Sequence, residues 1–249
     1  MKKTENNTNW FAEWFDSDFY HILYQHRDHS EAEAFINQVT RHLALPENAT
    51  VMDLACGKGR HSIQLNELGF DVLGLDLSKE SIQFAKQFEN DNLHFTTGDM
   101  RQLDFSNQFD LVLNLFTSFG YFHEENDNLL VIESIAKVLK EGGKLVLDYL
   151  NTVKVSAKLP QSEEIVRKNT TFNTHKFVEG DFIVKDISFE SEGKVQKFQE
   201  YVRRIDLQKF KTYFQRCGLE LQETFGDYHL NDFDEKKSER LILIAQKTK

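Results

Sequence analysis

Only two cysteines, Cys56 and Cys217, occur in 249 residues. That is too few for a disulfide framework, so the chain is expected in a reducing compartment. No Gly-, Ser- or Pro-rich linker and no internal repeat divides the sequence, which has just two prolines. No apolar run approaches the roughly 20 residues that a membrane-spanning helix needs. Lys2-Lys3 leads into a polar run over 4–9, where a secretory leader would carry its apolar core, so none is expected. The cytoplasm is the expected location. Positive charge is in deficit: 30 basic against 40 acidic residues leave a net charge of −10. Such a surface repels phosphate backbones and disfavours RNA or DNA as partner. His26 and His29 flank Arg27-Asp28, but no set of ligands at metal-binding spacing accompanies them, and no metal is expected. The length suits one sizeable domain with room for a small subdomain.

The most informative stretch is Met52-Asp53-Leu54-Ala55-Cys56-Gly57-Lys58-Gly59-Arg60. An apolar strand ends in an acid, breaks into a Gly-x-Gly turn and enters a helix marked by Ile63, Leu65 and Leu68, with Gly69 as its stop. Glycine has no Cβ, so a nucleotide-like ligand can approach the bare backbone there. Val72-Leu73-Gly74-Leu75-Asp76 is a second buried strand ending in an acid, one βαβ unit downstream, where ribose hydroxyls would lie. A third strand turns at Gly98-Asp99-Met100, and 109–115 reads as a fourth. A nicotinamide dehydrogenase would prefer Gly-x-Gly-x-x-Gly, whereas Ser62 occupies the sixth position here. The apolar runs at 219–225 and 241–245 suit an antiparallel pair closing the sheet.

This ordered set resembles the class I S-adenosylmethionine-dependent methyltransferases over nearly the whole chain. The resemblance implies a Rossmann-like α/β fold: a seven-stranded, mostly parallel sheet with an antiparallel last strand and helices on both faces. It implies S-adenosylmethionine as cofactor, the methionine part at Asp53, Gly57 and Gly59, the ribose at Asp76, the adenine flanked by Asp99 and Met100. Ala55, Leu77 and Asn114 complete the cofactor-binding set. Arg60 stands where the family carries a third small residue. Arg27 could pair with the methionine carboxylate through its planar fork, or be a solvated arginine beside Asp28. Tyr20 or Tyr24, from an aromatic helical run spanning residues 10–24, could face the sulfonium; a hydrophobic face packed on the core is the plainer reading of that run.

Methyl transfer needs alignment, exclusion of water and an unprotonated nucleophile more than it needs strong catalytic groups. The segment Leu115-Phe116-Thr117-Ser118-Phe119-Gly120-Tyr121-Phe122-His123 looks like the loop of N,N-dimethyltransferases acting on nucleotide-linked amino sugars. It is also similar to N-methyltransferases of glycine-like amines. The resemblance implies a small-molecule acceptor, with Ser118 and Tyr121 as contacts and Tyr121 or His123 accepting an amine proton. Asp227 and Tyr228, leaving the sixth strand at the same edge, are further candidate contacts. The alternatives are an RNA or protein methyltransferase, or a protein that binds the cofactor without turnover.

Alternating helices over 78–88 and 124–139 and a strand over 144–149 continue the parallel pattern. After Asn151 it changes. Residues 164–172, 175–178, 182–189 and 195–205 read as a small antiparallel β insertion, before a helix that Asp206 caps and Cys217-Gly218 ends. The expected organisation is a cofactor-binding domain of 1–151 and 206–249 with an inserted β lid of 152–205 enclosing the acceptor. The same apolar alternation could instead pair two subunits, which would make the chain a homodimer.

Overall fold

The computed structural model describes residues 14–24 and 29–248. Five parallel strands come first in the chain: β1 (Thr50–Leu54), β2 (Asp71–Asp76), β3 (Leu93–Thr97), β4 (Phe109–Asn114) and β5 (Leu139–Leu150). The central strands β1 and β4 are buried along almost their whole length because both faces are covered, the rule for parallel sheets. With β10 (Leu219–Phe225) and β11 (Arg240–Lys247) the order is β10-β11-β5-β4-β1-β2-β3. Strand β11 lies between β5 and β10, antiparallel to both, as the closing pair of the sequence suggests. The order reverses between β1 and β4, and open α/β sheets bind ligands at such a switch point, beyond the carboxyl ends of the strands.

Helices α2 (His29–Leu43), α3 (Arg60–Glu67) and α4 (Lys79–Ala85) cover one face, burying Phe35, Ile36, Val39, Leu65 and Ile82. The other face carries α5 (Glu125–Val138) and α7 (Leu207–Arg216), through Ile132, Ile135, Phe210 and Phe214. The Asp206 side chain caps α7 by accepting from Lys209 N at 2.8 Å, as expected. Short helix α6 (Thr152–Ala157), capped by Asn151, has no counterpart in the sequence reading. The described part of the aromatic run is helical at Trp14-Phe15, turns at Asp16-Ser17 and is helical again in α1 (Asp18–Leu23). Trp14 and Leu23 are nonetheless fully buried, each contributing on the order of 1.5–3 kcal/mol by leaving water.

The insertion is a four-stranded antiparallel meander, β6 (Gln161–Arg167), β7 (Thr170–Glu179), β8 (Phe182–Ser191) and β9 (Lys194–Arg203). The strand expected over 164–172 is in fact two. Lys168-Asn169 makes a two-residue turn with Lys168 at φ 50°, a hairpin signal masked by β-type neighbours on either side. One face of this sheet packs against segment 14–24: the Trp14 ring lies 4.5 Å from Phe198, and Phe19 lies 4.3 Å from Phe189.

Candidate active site

The first glycine loop leaves β1 on two left-handed residues, Ala55 (φ 65°) and Gly57 (φ 55°). The amides of Ala55 and Cys56 donate to Leu75 O at 2.7 and 3.1 Å, tying the loop to β2. Gly59 (φ 84°) then begins α3 with no side-chain cap. A Cβ at Gly59 would sit 2.7 Å from the Phe95 ring, whereas one at Gly57 would meet open space. Gly59 serves close packing of loop on sheet; Gly57 leaves bare backbone facing a cleft.

Asp76 joins these parts. Its carboxylate accepts from Gly57 N and from Ser78 N, each at 2.8 Å, and each oxygen keeps capacity for a further bond. Burial pushes its carboxyl pKa up, only partly offset by these amides. Ser78 caps α4, and its hydroxyl also bonds Asp16 of the N-terminal segment. Beneath the loop Asp53 is buried, accepting from the Ser62 hydroxyl at 2.7 Å. Burial raises its pKa to about 6 against that hydrogen bond. Asn114 donates to Leu54 O at 3.0 Å while its Oδ1 has no partner among the described residues.

One cavity gathers the expected cofactor residues Ala55, Gly57, Asp76, Leu77, Asp99 and Met100. Ser118, Tyr121 and Phe122 form another part of its wall, and Phe15, Tyr20 and His21 come from the N-terminal segment. Burial, then the charge of Lys58, lowers the His21 pKa. Arg101 grips Asp99 with its side chain at 2.6–3.1 Å. Burial works against the Asp99 carboxylate, but Arg101 outweighs it and the pKa falls.

Other expected residues lie elsewhere. Asp53, Gly59 and Asn114 sit under the loop rather than in the cavity lining. Tyr24 donates its hydroxyl to Glu200 at 2.7 Å and accepts from Lys185 at 2.9 Å, so it faces the inserted sheet. His123 packs its ring against Phe182 and Tyr201, 5.2 and 5.1 Å away, which removes it from the cavity wall. Asp227 shapes its own loop by accepting from His229 N and Asn231 N, and Tyr228 donates to Asp148 at 3.1 Å. Arg27 lies outside the described residues. No described residue of 152–205 lines the cavity; the inserted sheet acts one layer out, on the segment that does. Sequence reading missed His21, Ser81 and Phe122, because short helical runs place them by tertiary packing rather than by motif.

A family model described as Methyltransferase domain matches residues 45–218. The chain belongs to that family. The putative methyltransferase YqeM of Bacillus subtilis (strain 168) is 31% identical over 217 residues, covering 83% of this chain and 87% of the relative. A glycine/sarcosine N-methyltransferase of Aphanothece halophytica is 33% identical over 159 residues, 61% of this chain and 58% of that protein. The crystal structure of an S-adenosylmethionine-dependent methyltransferase from Clostridium acetobutylicum ATCC 824 shares the fold, with TM-score 0.78 at 20% identity, covering 97% of this chain and 99% of that one. The enzyme is an S-adenosylmethionine-dependent methyltransferase.

The cleft fits that cofactor chemically: open space at Gly57 and spare acceptor capacity on Asp76. In the free protein, burial favours the neutral Asp53 carboxyl, so its stability contribution is full below the ordinary carboxylate range and is lost as pH rises through about 6. A cation bound near Asp53 would reverse the preference. S-adenosylmethionine affinity is therefore expected to rise with pH through about 6, with proton release, and then level off. S-adenosylhomocysteine, without the sulfonium charge, should show a shallower rise. Calorimetry across this range checks it, and Asp53→Asn should flatten the curve; parallel profiles for the two compounds would contradict it.

Proposed function

We propose that this methyltransferase transfers the methyl group to an amine of a small molecule held against Ser118 and Tyr121. The observation that carries the reading is the direction of one hydroxyl. Ser118 donates its proton to Leu115 O at 2.7 Å, which leaves its lone pairs as acceptors in a wall of the cavity. An oxygen that can only accept suits an N–H donor, and an amine held by its N–H keeps its lone pair for the methyl carbon. The glycine/sarcosine N-methyltransferase among the relatives supports the same acceptor chemistry.

In this reading Asp76 takes the ribose hydroxyls, the Gly57 backbone lies along the methionine part, and Asp99 with Met100 and Leu77 flanks the adenine. The cofactor supplies a methyl carbon already activated by a sulfonium leaving group. As the nitrogen–carbon bond forms, the carbon–sulfur pair returns to sulfur. The chain's own residues orient and dehydrate. Phe15, Tyr20, Tyr121 and Phe122 exclude water, and their ring faces favour positive charge. Tyr121 is the remaining candidate for the amine proton, since His123 is turned away. The acceptor is taken to be free in the cytoplasm and not part of a nucleic acid, in keeping with the charge of −10.

The test has two stages. Calorimetry should detect S-adenosylmethionine and S-adenosylhomocysteine well below millimolar concentration. A radiolabelled transfer screen over amines, alcohols, RNA and peptides should then label amines. Labelling confined to alcohols or to a macromolecule would overturn the amine reading, and binding without any transfer would favour a non-catalytic protein.

A further inference from the structure

The wall that carries Ser118 rests on an improbable turn. Ser118 N donates to Leu115 O at 3.2 Å, closing a four-residue turn over 115–118. Both central residues are left-handed, Phe116 at φ 56° and Thr117 at φ 62°. Turns of that hand are ordinarily built from Gly, Asn or Asp. A bulky aromatic followed by a β-branched residue is among the least suitable pairs for it. Strain of this kind persists only where surrounding groups over-determine it, and it concentrates at functional sites.

One residue supplies that constraint. Asp148 on β5 is fully buried. Its carboxylate Oδ2 accepts from Phe116 N at 2.8 Å, and its backbone carbonyl accepts from Thr117 N at 3.0 Å. The amides of both strained residues therefore end on the same side chain and peptide. Arg240, on the neighbouring strand β11, donates Nε to Asp148 Oδ1 at 2.7 Å and Nη2 to the Thr117 hydroxyl at 2.9 Å. Tyr228 adds its hydroxyl to Asp148 Oδ2. None of these three lines the cavity, yet the loop they hold contributes Ser118, Tyr121 and Phe122 to it. The glycine loop and the acids of β2 and β3 belong to other elements.

We propose that Asp148 and Arg240 are positioning residues for the methyl acceptor: the pair holds the Phe116-Thr117 turn left-handed and so keeps the Ser118 hydroxyl facing the cavity as an acceptor. The inference rests on the reading that Ser118 and Tyr121 form the acceptor side. A neutral amide at 148 keeps the shape but loses the charge that Arg240 answers. With the turn free to relax to right-handed conformers, Ser118 would swing off its bond to Leu115 and the acceptor would lose its orientation. Misplacement on the scale of 1 Å costs about a hundredfold in rate.

The test compares Asp148→Asn, the milder Arg240→Lys, and Asp148→Asn combined with Thr117→Asn, since asparagine tolerates the left-handed region and keeps an oxygen for Arg240. S-adenosylhomocysteine affinity by calorimetry should stay within about threefold in all three, because no cofactor-side group changes. Amide exchange at Phe116 and Thr117, followed by NMR, should quicken at least about tenfold in Asp148→Asn and recover in the combined variant. With an amine from the transfer screen, acceptor kcat/KM should fall about a hundredfold while the KM for S-adenosylmethionine holds, and the second substitution should restore about fivefold or more. Arg240→Lys should move the same readouts less far. Should Asp148→Asn not fold, Arg240→Lys decides alone. Equal losses of cofactor affinity and acceptor turnover would overturn the proposal, as would unchanged exchange or absent rescue. Exchange and cofactor affinity need no acceptor, so failure of the amine reading would be visible separately, in the screen.

Discussion

Gly120→Ala is expected to destabilise the enzyme by roughly 3 kcal/mol, adding about 1–2 for a left-handed non-glycine residue to about 1–3 for overpacking. Gly120 sits at φ 84°, and a Cβ there would overlap the Tyr149 hydroxyl and lie 3.0 Å from its Cζ. The ring cannot retreat. Tyr149 is fully buried, packs edge-on to Phe210 at 5.2 Å, and donates its hydroxyl to Arg203 O at 2.6 Å. Arg203 N in turn donates to Gly120 O at 2.8 Å. The added methyl group therefore pushes the acceptor-side loop away from both β5 and the end of β9. The melting temperature should drop on the order of 10 °C. Gly180→Ala is the control: its φ is 55°, but a Cβ would meet nothing within 4 Å, so only the conformational part, about 1 kcal/mol, should appear. Equal shifts for the two variants would show that the Tyr149 contact carries no weight.

Asp76→Ala should weaken S-adenosylhomocysteine binding by about 1.5–3 kcal/mol, the scale of hydrogen bonds to a charged group. Two vicinal hydroxyls lose a common acceptor in that variant. The structure adds a second cost, because the same carboxylate serves Gly57 N and Ser78 N. Removing it leaves two amides at the cleft without their partner and loosens the loop along with the ribose site. Asp76→Asn, which keeps one acceptor oxygen, should fall between alanine and the native enzyme in both affinity and melting temperature. A folded Asp76→Ala protein with native affinity would count directly against the assigned pocket.

The glycine-loop side of the cleft is legible because its parts are close in sequence and obey backbone rules. Asp53, Gly57 and Gly59 share one strand–loop–helix unit, and Asp76 follows one crossover later. Such spacing survives translation into space almost unchanged. The residues that surround the acceptor side come from distant elements. Asp148 meets Arg240 across β5 and β11, and Tyr24 meets Glu200 across 176 positions; neither pairing leaves a local pattern. The inserted sheet is visible as a composition change, but what its apolar face covers is not. Apolar alternation says that a face needs cover without saying whose. Here the cover is Trp14 and Phe19, which places the segment carrying Phe15, Tyr20 and His21, and not the sheet itself, at the cavity. His123 misled for a related reason: its position in a loop beside the site says nothing of which way the ring turns.

The reversed strand β11 sets an order of assembly. Strand β10 leaves the ribosome before β11, yet among the described residues its one neighbour in the finished sheet is β11. Until β11 slides in beside β5, β10 has no edge to join and α7 no completed sheet to lie on. Arg240 begins that same strand. The anchor of the strained turn therefore arrives with the piece that closes the sheet, and a nascent chain that already carries the whole glycine loop and both of its acids still lacks a finished place for the acceptor.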